Sequence, residues 1–191
     1  MNRFVSMAGT ALMAVGLVAC GGSPTSPSGV AGISLSGGSQ LASNHTPTLT
    51  SSDADFVSFA ANSYQALIQW GTVAEHRSAH PRVKWFARQM VSESRARLVR
   101  LRSEMGRNVS SNLSLSAAQQ DLLNRLSSTA ALQLDQVYSQ AMLTELEAML
   151  TRFQQAGRTA SDTTLRAHAV DFADRLVQYL DDLREIANRV Q

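Results

Sequence analysis

Leu165-Arg166-Ala167-His168-Ala169-Val170-Asp171-Phe172-Ala173-Asp174-Arg175-Leu176-Val177-Gln178-Tyr179-Leu180-Asp181-Asp182-Leu183-Arg184-Glu185-Ile186 carries the cleanest helical pattern in the chain. Leu165, Ala169, Phe172, Leu176, Tyr179, Leu183, Ile186 and, beyond them, Val190 recur at steps of three and four. That spacing stacks them on one face of a helix with 3.6 residues per turn. Ser161-Asp162 just upstream supplies an N-cap. A long helix with one apolar stripe cannot bury that stripe by itself, so the pattern predicts further helices packed against it.

Upstream stretches repeat the pattern. Ser116 with Gln119 forms a capping box that opens a helical region to Gly157, where the sequence predicts a stop. Ser127-Ser128-Thr129 predicts a bend, giving a short helix with Leu122, Leu123 and Leu126, then a long one. The long one has Leu134, Tyr138, Met142, Leu146, Met149 and Phe153 on its apolar side. Before it, a helix over 81–105 starts at Pro81, where a missing N–H costs nothing. Its stripe is Val83, Ala87, Met90, Ser94, Leu98, Leu101 and Met105, with Gly106 as terminator. The first helix is predicted from Ser52, capped in an S-x-x-D pattern with Asp55. Phe56, Ala60, Ser63, Leu67, Trp70 and Ala74 face inward, and Ala79-His80-Pro81 ends it. Four long amphipathic helices and one short helix before the third long one make an all-α antiparallel four-helix bundle the expected fold.

The N-terminal part reads differently. Residues 21–52 hold no Asp, Glu, Lys or Arg, and 22 of these 32 are Ser, Gly, Thr or Pro. Such a segment cannot bury enough surface to offset its ordering entropy and is expected to be a flexible tether, with His45 solvated within it. Ahead of it, an apolar run from Phe4 to Ala19 follows the single charge of Arg3. The run is short for a membrane span and ends in small residues, as a secretory signal does. Leu17-Val18-Ala19-Cys20 resembles the lipobox of bacterial lipoproteins. That resemblance implies a signal peptide over 1–19, acylation of Cys20, a tether over 20–52 and a folded domain over 53–191. It also implies a cell-envelope location. Gly21, in place of a retention-type Asp, favours the outer membrane facing the periplasm. An ordinary signal peptide with an incidental Cys is the alternative.

Composition narrows function further. Cys20 is the only cysteine, so lipidation would leave no thiol for a disulfide, a metal or catalysis. The basic residues are 16 Arg plus Lys84, and removal of Arg3 leaves a net charge of 16 − 15 = +1. So small a charge does not argue for nucleic acid as a partner.

A family resemblance rests on Phe56-Val57-x-x-Ala60-Ala61, Pro81-x-Val83-x-x-Phe86-Ala87-x-x-Met90-Val91, Asp135-x-x-Tyr138 and the leucine-rich last helix. In order and spacing these resemble a bacterial envelope family of ferritin-like four-helix bundles, a domain of unknown function often labelled "predicted outer membrane protein". The family pattern places histidines at three positions that fall here on Ser94, Leu146 and Tyr179, and an acidic residue at the position of Leu67. Asp135, Tyr138 and Glu93 match the pattern, whereas Leu134 and Ala173-Asp174 depart from it. No Glu-x-x-His occurs either, so the replaced positions argue against a metal, and no cofactor is expected.

Other candidates are weaker. His168 and Asp171, spaced i, i+3, suit a base with its orienter or two metal ligands, but without a third group they read as a surface pair. Glu75, His76 and His80 gather at the first interhelix turn, where the helix dipole alone favours His. Asp135 is expected to hold the Tyr138 hydroxyl. From Arg82 to Arg107 eight basic residues face Glu93 and Glu104, a local balance of 8 − 2 = +6. Either these cations pair with acidic neighbouring helices, or Arg88, Arg95 and Arg102, seven residues apart, form a face for lipid headgroups or an acidic envelope partner. The sequence thus predicts a membrane-anchored binding or structural module rather than an enzyme. The rival readings are a ferritin-like metal or redox protein with a degenerate ligand set, and a small-molecule carrier.

Overall fold

A computed structural model describes residues 46–190. Cys20, the leader, His45 and most of the expected tether lie outside the described residues.

Every regular element is helical among the described residues: α1 (Ser51–Arg77), α2 (Pro81–Met105), a 3-10 turn (Gly106–Asn108), α3 (Ala117–Ser128), α4 (Ala131–Thr159) and α5 (Thr163–Ala187). The four long helices hold 25 to 29 residues, or about 38–44 Å at 1.5 Å per residue. Their apolar stripes bury as the spacing requires, and only Val190 at the end of the α5 stripe stays half-exposed.

Named contacts give the pairing. Glu75 meets Arg88 and Gly71 meets Val91, so the end of α1 lies against the start of α2. Gly157 meets Val170, and Glu147 meets Arg184, between α4 and α5. Phe56 packs on Phe153, while Ser78, at the end of α1, bonds Asp135 near the start of α4. Glu104 bonds His168 and Arg82 bonds Glu185, joining α2 to α5. In all four pairs the early residues of one helix meet the late residues of the other. Phe56, Tyr64, Phe153 and Phe172 form an aromatic cluster, with ring centroids 4.9–6.0 Å apart in the contacts through Phe153.

Two helix boundaries differ from the sequence expectation. The cap of α1 is Thr50, whose hydroxyl accepts from the Asp53 amide, in place of Ser52 with Asp55. Asp53 is freed to turn inward and accept from the amides of Ser161 and Asp162 at 3.2 Å. Gly157 does not end its helix; α4 runs to Thr159, and the glycine lets Val170 of α5 come close. Thr46 lies against Gly106, and the Asn108 side-chain Nδ2 donates to the Pro47 carbonyl, so the residues just before α1 rest on the 3-10 turn. Gly106 has φ +56°, a left-handed conformation that suits glycine and turns the chain out of α2.

Candidate functional site

The most connected polar group inside the helices was not predicted. Tyr64 of α1, Glu104 of α2 and His168 of α5 form a chain: the Tyr64 hydroxyl is 2.9 Å from His168 Nε2, and His168 Nδ1 is 2.8 Å from Glu104 Oε2. A carboxylate only accepts, so Nδ1 carries the proton and Nε2 accepts from the tyrosine. The chain continues outward, with Glu104 accepting from Arg100 Nε at 2.7 Å and Arg100 reaching Asp171 at 2.9 Å. Arg97 also donates to Asp171 and, at 2.7 Å, to Glu93, with its guanidinium over the Phe172 ring.

Burial sets the electrostatics of this group. The His168 ring is fully buried, and desolvation pushes its pKa below the usual histidine value against the pull of Glu104. Desolvation pushes the Tyr64 hydroxyl well above its usual value. The hydrogen bond from Arg97 holds Asp171 below the usual carboxylate range. A hydroxyl, an imidazole and a carboxylate in series are the parts of a nucleophile relay. Yet none of the cavities described among residues 46–190 is lined by Tyr64, His168 or Glu104. The group ties three helices together.

His168 is therefore not the exposed partner of Asp171; the two do not bond to each other, and each faces α2. The sequence held a usable signal. His168 is three residues after Leu165 and four before Phe172, and Tyr64 is four after Ala60 and three before Leu67, so both obey the stripe spacing.

The three positions that the resemblance assigns to histidines, and the one it assigns to an acidic residue, lie in the core, one per long helix. Leu67 on α1, Ser94 on α2, Leu146 on α4 and Tyr179 on α5 are all buried. The Ser94 and Tyr179 hydroxyls have no hydrogen-bond partner there, and the Tyr179 ring packs edge-on against Phe86. Two leucines and two hydroxyls are not a donor set for iron or manganese, which take carboxylate and imidazole ligands. Among the described residues no three His, Cys, Asp or Glu side chains gather to hold an ion.

The Asp135–Tyr138 expectation is also corrected. The Tyr138 hydroxyl is buried without a partner, while Asp135 accepts from the Ser78 hydroxyl and, at 3.0 Å, from the His80 amide. Asp135 thereby fixes the turn between α1 and α2. His80 caps α2 by accepting from the Arg82 amide, His76 donates to the Thr72 carbonyl, and Glu75 turns to Arg88, so the three do not form a cluster.

On α2 the structure divides the cations. Arg97 and Arg100 face α5 and are neutralised by Glu93, Glu104 and Asp171. Arg88, Arg95 and Arg102 lie exposed on the opposite stripe. Arg88 bonds Glu75 at 3.0 Å, and among the described residues Arg95 and Arg102 make no ion pair. No described helix is long and apolar enough to cross a membrane.

Comparison with curated proteins and with solved structures returns no match. A family model described as "Domain of unknown function (DUF4142)" matches residues 38–186, which covers α1 to α4 and nearly all of α5. The chain belongs to this family of domains of unknown function.

Proposed function

We propose that the chain is a lipid-anchored envelope protein whose ferritin-like, antiparallel four-helix bundle serves as a non-catalytic binding module. In this reading Cys20 carries the anchor, the segment after it is the tether, and α2 meets an anionic surface at the outer membrane. The observation that carries the proposal is the division of α2. Arg82, Arg97 and Arg100 pair with acids of α5, and Glu93 and Glu104 pair with Arg97 and Arg100, which leaves Arg88, Arg95 and Arg102 on an outward stripe with Glu75 as the one acid bonded to it among the described residues.

The test uses the chain from Gly21 to Gln191, which lacks both the apolar leader and the thiol. It is expected to sediment with phosphatidylglycerol-containing vesicles at low salt and to be released as salt screens the contact. The Arg88→Gln, Arg95→Gln, Arg102→Gln triple variant should lose most of that binding with an unchanged melting curve. Salt-insensitive binding, or full binding by the triple variant, would overturn the proposal.

A further inference from the structure

The same stripe carries two exposed apolar side chains that charge pairing does not explain. Trp85 is 51% exposed and Val99 is 66% exposed. At about 100° per residue, Trp85, Arg88, Arg95, Val99 and Arg102 fall within roughly a third of the helix circumference. From Trp85 to Arg102 the stripe runs about 26 Å at 1.5 Å per residue. The exposed residues between them are Ser92 and Ala96, with Ser103 at the end, so nothing bulky holds the helix off a plane. Glu93 is bonded to Arg97 and Glu104 to Arg100 and to His168 of α5, so neither acid pairs with the stripe.

We infer that this stripe seats on an anionic lipid bilayer, with Trp85 and Val99 entering the headgroup–acyl boundary and the three arginines meeting the phosphates. The inference deepens the proposed function and rests on it. One feature favours a bilayer over an acidic protein. Three cations at seven-residue steps after an indole, on one helix face, match a laterally continuous surface, where tryptophan settles at the interface and arginine at the phosphates.

The chain holds two tryptophans, and the other is silent: Trp70 is 1% exposed, with its indole N–H donated to the Gln119 carbonyl. Emission that responds to lipid therefore reports Trp85. With the chain from Gly21 to Gln191, phosphatidylglycerol vesicles should shift the emission to the blue, and brominated acyl chains should quench it by at least twofold. Phosphatidylcholine vesicles should do neither. Trp85→Phe should abolish the optical response while retaining most of the salt-sensitive binding. Val99→Ser should weaken vesicle binding several-fold with unchanged binding to polyglutamate.

Salt-sensitive, arginine-dependent vesicle binding without a blue shift or quenching would overturn insertion and leave the anionic-surface reading standing. Binding to polyglutamate but not to vesicles would overturn the bilayer and leave an acidic protein as the partner. Binding to neither overturns both.

Discussion

The Tyr64 hydroxyl and His168 Nε2 stand 2.9 Å apart in the core and join the middle of α1 to the first half of α5. Because Glu104 fixes the imidazole proton on Nδ1, the other nitrogen is an acceptor that needs a donor. Tyr64 is its only hydrogen-bond partner among the described residues. Tyr64→Phe removes that donor and leaves the acceptor dry, at a cost of about 1–3 kcal/mol. Urea unfolding of the chain from Gly21 to Gln191 should show a lower midpoint at an unchanged slope. A midpoint equal to that of the parent would mean that the bond contributes nothing.

The same histidine makes stability depend on pH. Its folded pKa is lowered from 6.5, chiefly by burial. As pH falls through 6.5 the unfolded chain takes up a proton that the folded chain refuses. The contribution is therefore fully present above the unfolded pKa and is lost as pH falls toward the folded one. His168→Gln keeps an amide donor for Glu104 and a carbonyl acceptor for Tyr64 but cannot titrate. Between pH 7.5 and 5.5 the parent should lose more stability than His168→Gln, by up to about 1.4 kcal/mol per pH unit. Parallel pH profiles would rule the linkage out.

Much of the fold was legible because helix spacing and capping are local. Pro81, the Ser116–Gln119 capping box and Asp162 each start a helix where the sequence predicts it, and each stripe reads at a period of 3.6. What escaped depends on partners far along the chain. Asp53 resembles a first-turn acid, and only the fold brings Ser161 to it, 108 residues away. Gly157 resembles a terminator until Val170 is seen beside it. His168 and Asp171 read as a surface pair because the sequence shows no third group beside them, and only the fold brings Tyr64 and Glu104 to the imidazole. The division of the α2 arginines likewise needed the position of Asp171.

Tyr138 provides the contrast to Tyr64. Its hydroxyl is fully buried, has no hydrogen-bond partner, and is pushed above the usual tyrosine range by burial alone. Removing an unsatisfied buried hydroxyl takes away a desolvation penalty and leaves the ring packing in place. Tyr138→Phe should therefore leave stability unchanged or raise it by up to about 1 kcal/mol, although it deletes the same atom as Tyr64→Phe. Equal losses in both variants would show that satisfaction of the hydroxyl does not decide the outcome.

Asp53 is predicted to matter more than its place in a first turn suggests. It is buried, and it accepts from the amides of Ser161 and Asp162, which lead into α5. Those amides are donors that the helix leaves unpaired, and a negative charge is favoured at a helix N-terminus. Asp53→Ala should cost about 1.5–3 kcal/mol. Amide exchange at Ser161 and Asp162 should quicken more than at mid-helix sites in α5. Unchanged protection at those two amides would contradict the assignment.

Two interhelix glycines should respond oppositely to alanine, although both gain up to about 1 kcal/mol of helix propensity. A Cβ on Gly71 would stand 2.7 Å from Val91 Cγ2 and 3.1 Å from the Ala87 carbonyl oxygen. Val91 is buried and the carbonyl belongs to the α2 backbone, so α1 and α2 would have to separate. Overpacking of that kind costs about 1–3 kcal/mol, which exceeds the propensity gain, and Gly71→Ala should melt lower. A Cβ on Gly157 would meet Val170 Cγ2 at 2.9 Å, with the nearest backbone atom no closer than 3.6 Å. Val170 is 46% exposed and can rotate into solvent, so the clash is relieved without moving α5. Gly157→Ala should then melt at or slightly above the parent, and a loss there as large as that of Gly71→Ala would show that α4 and α5 are packed as rigidly as α1 and α2.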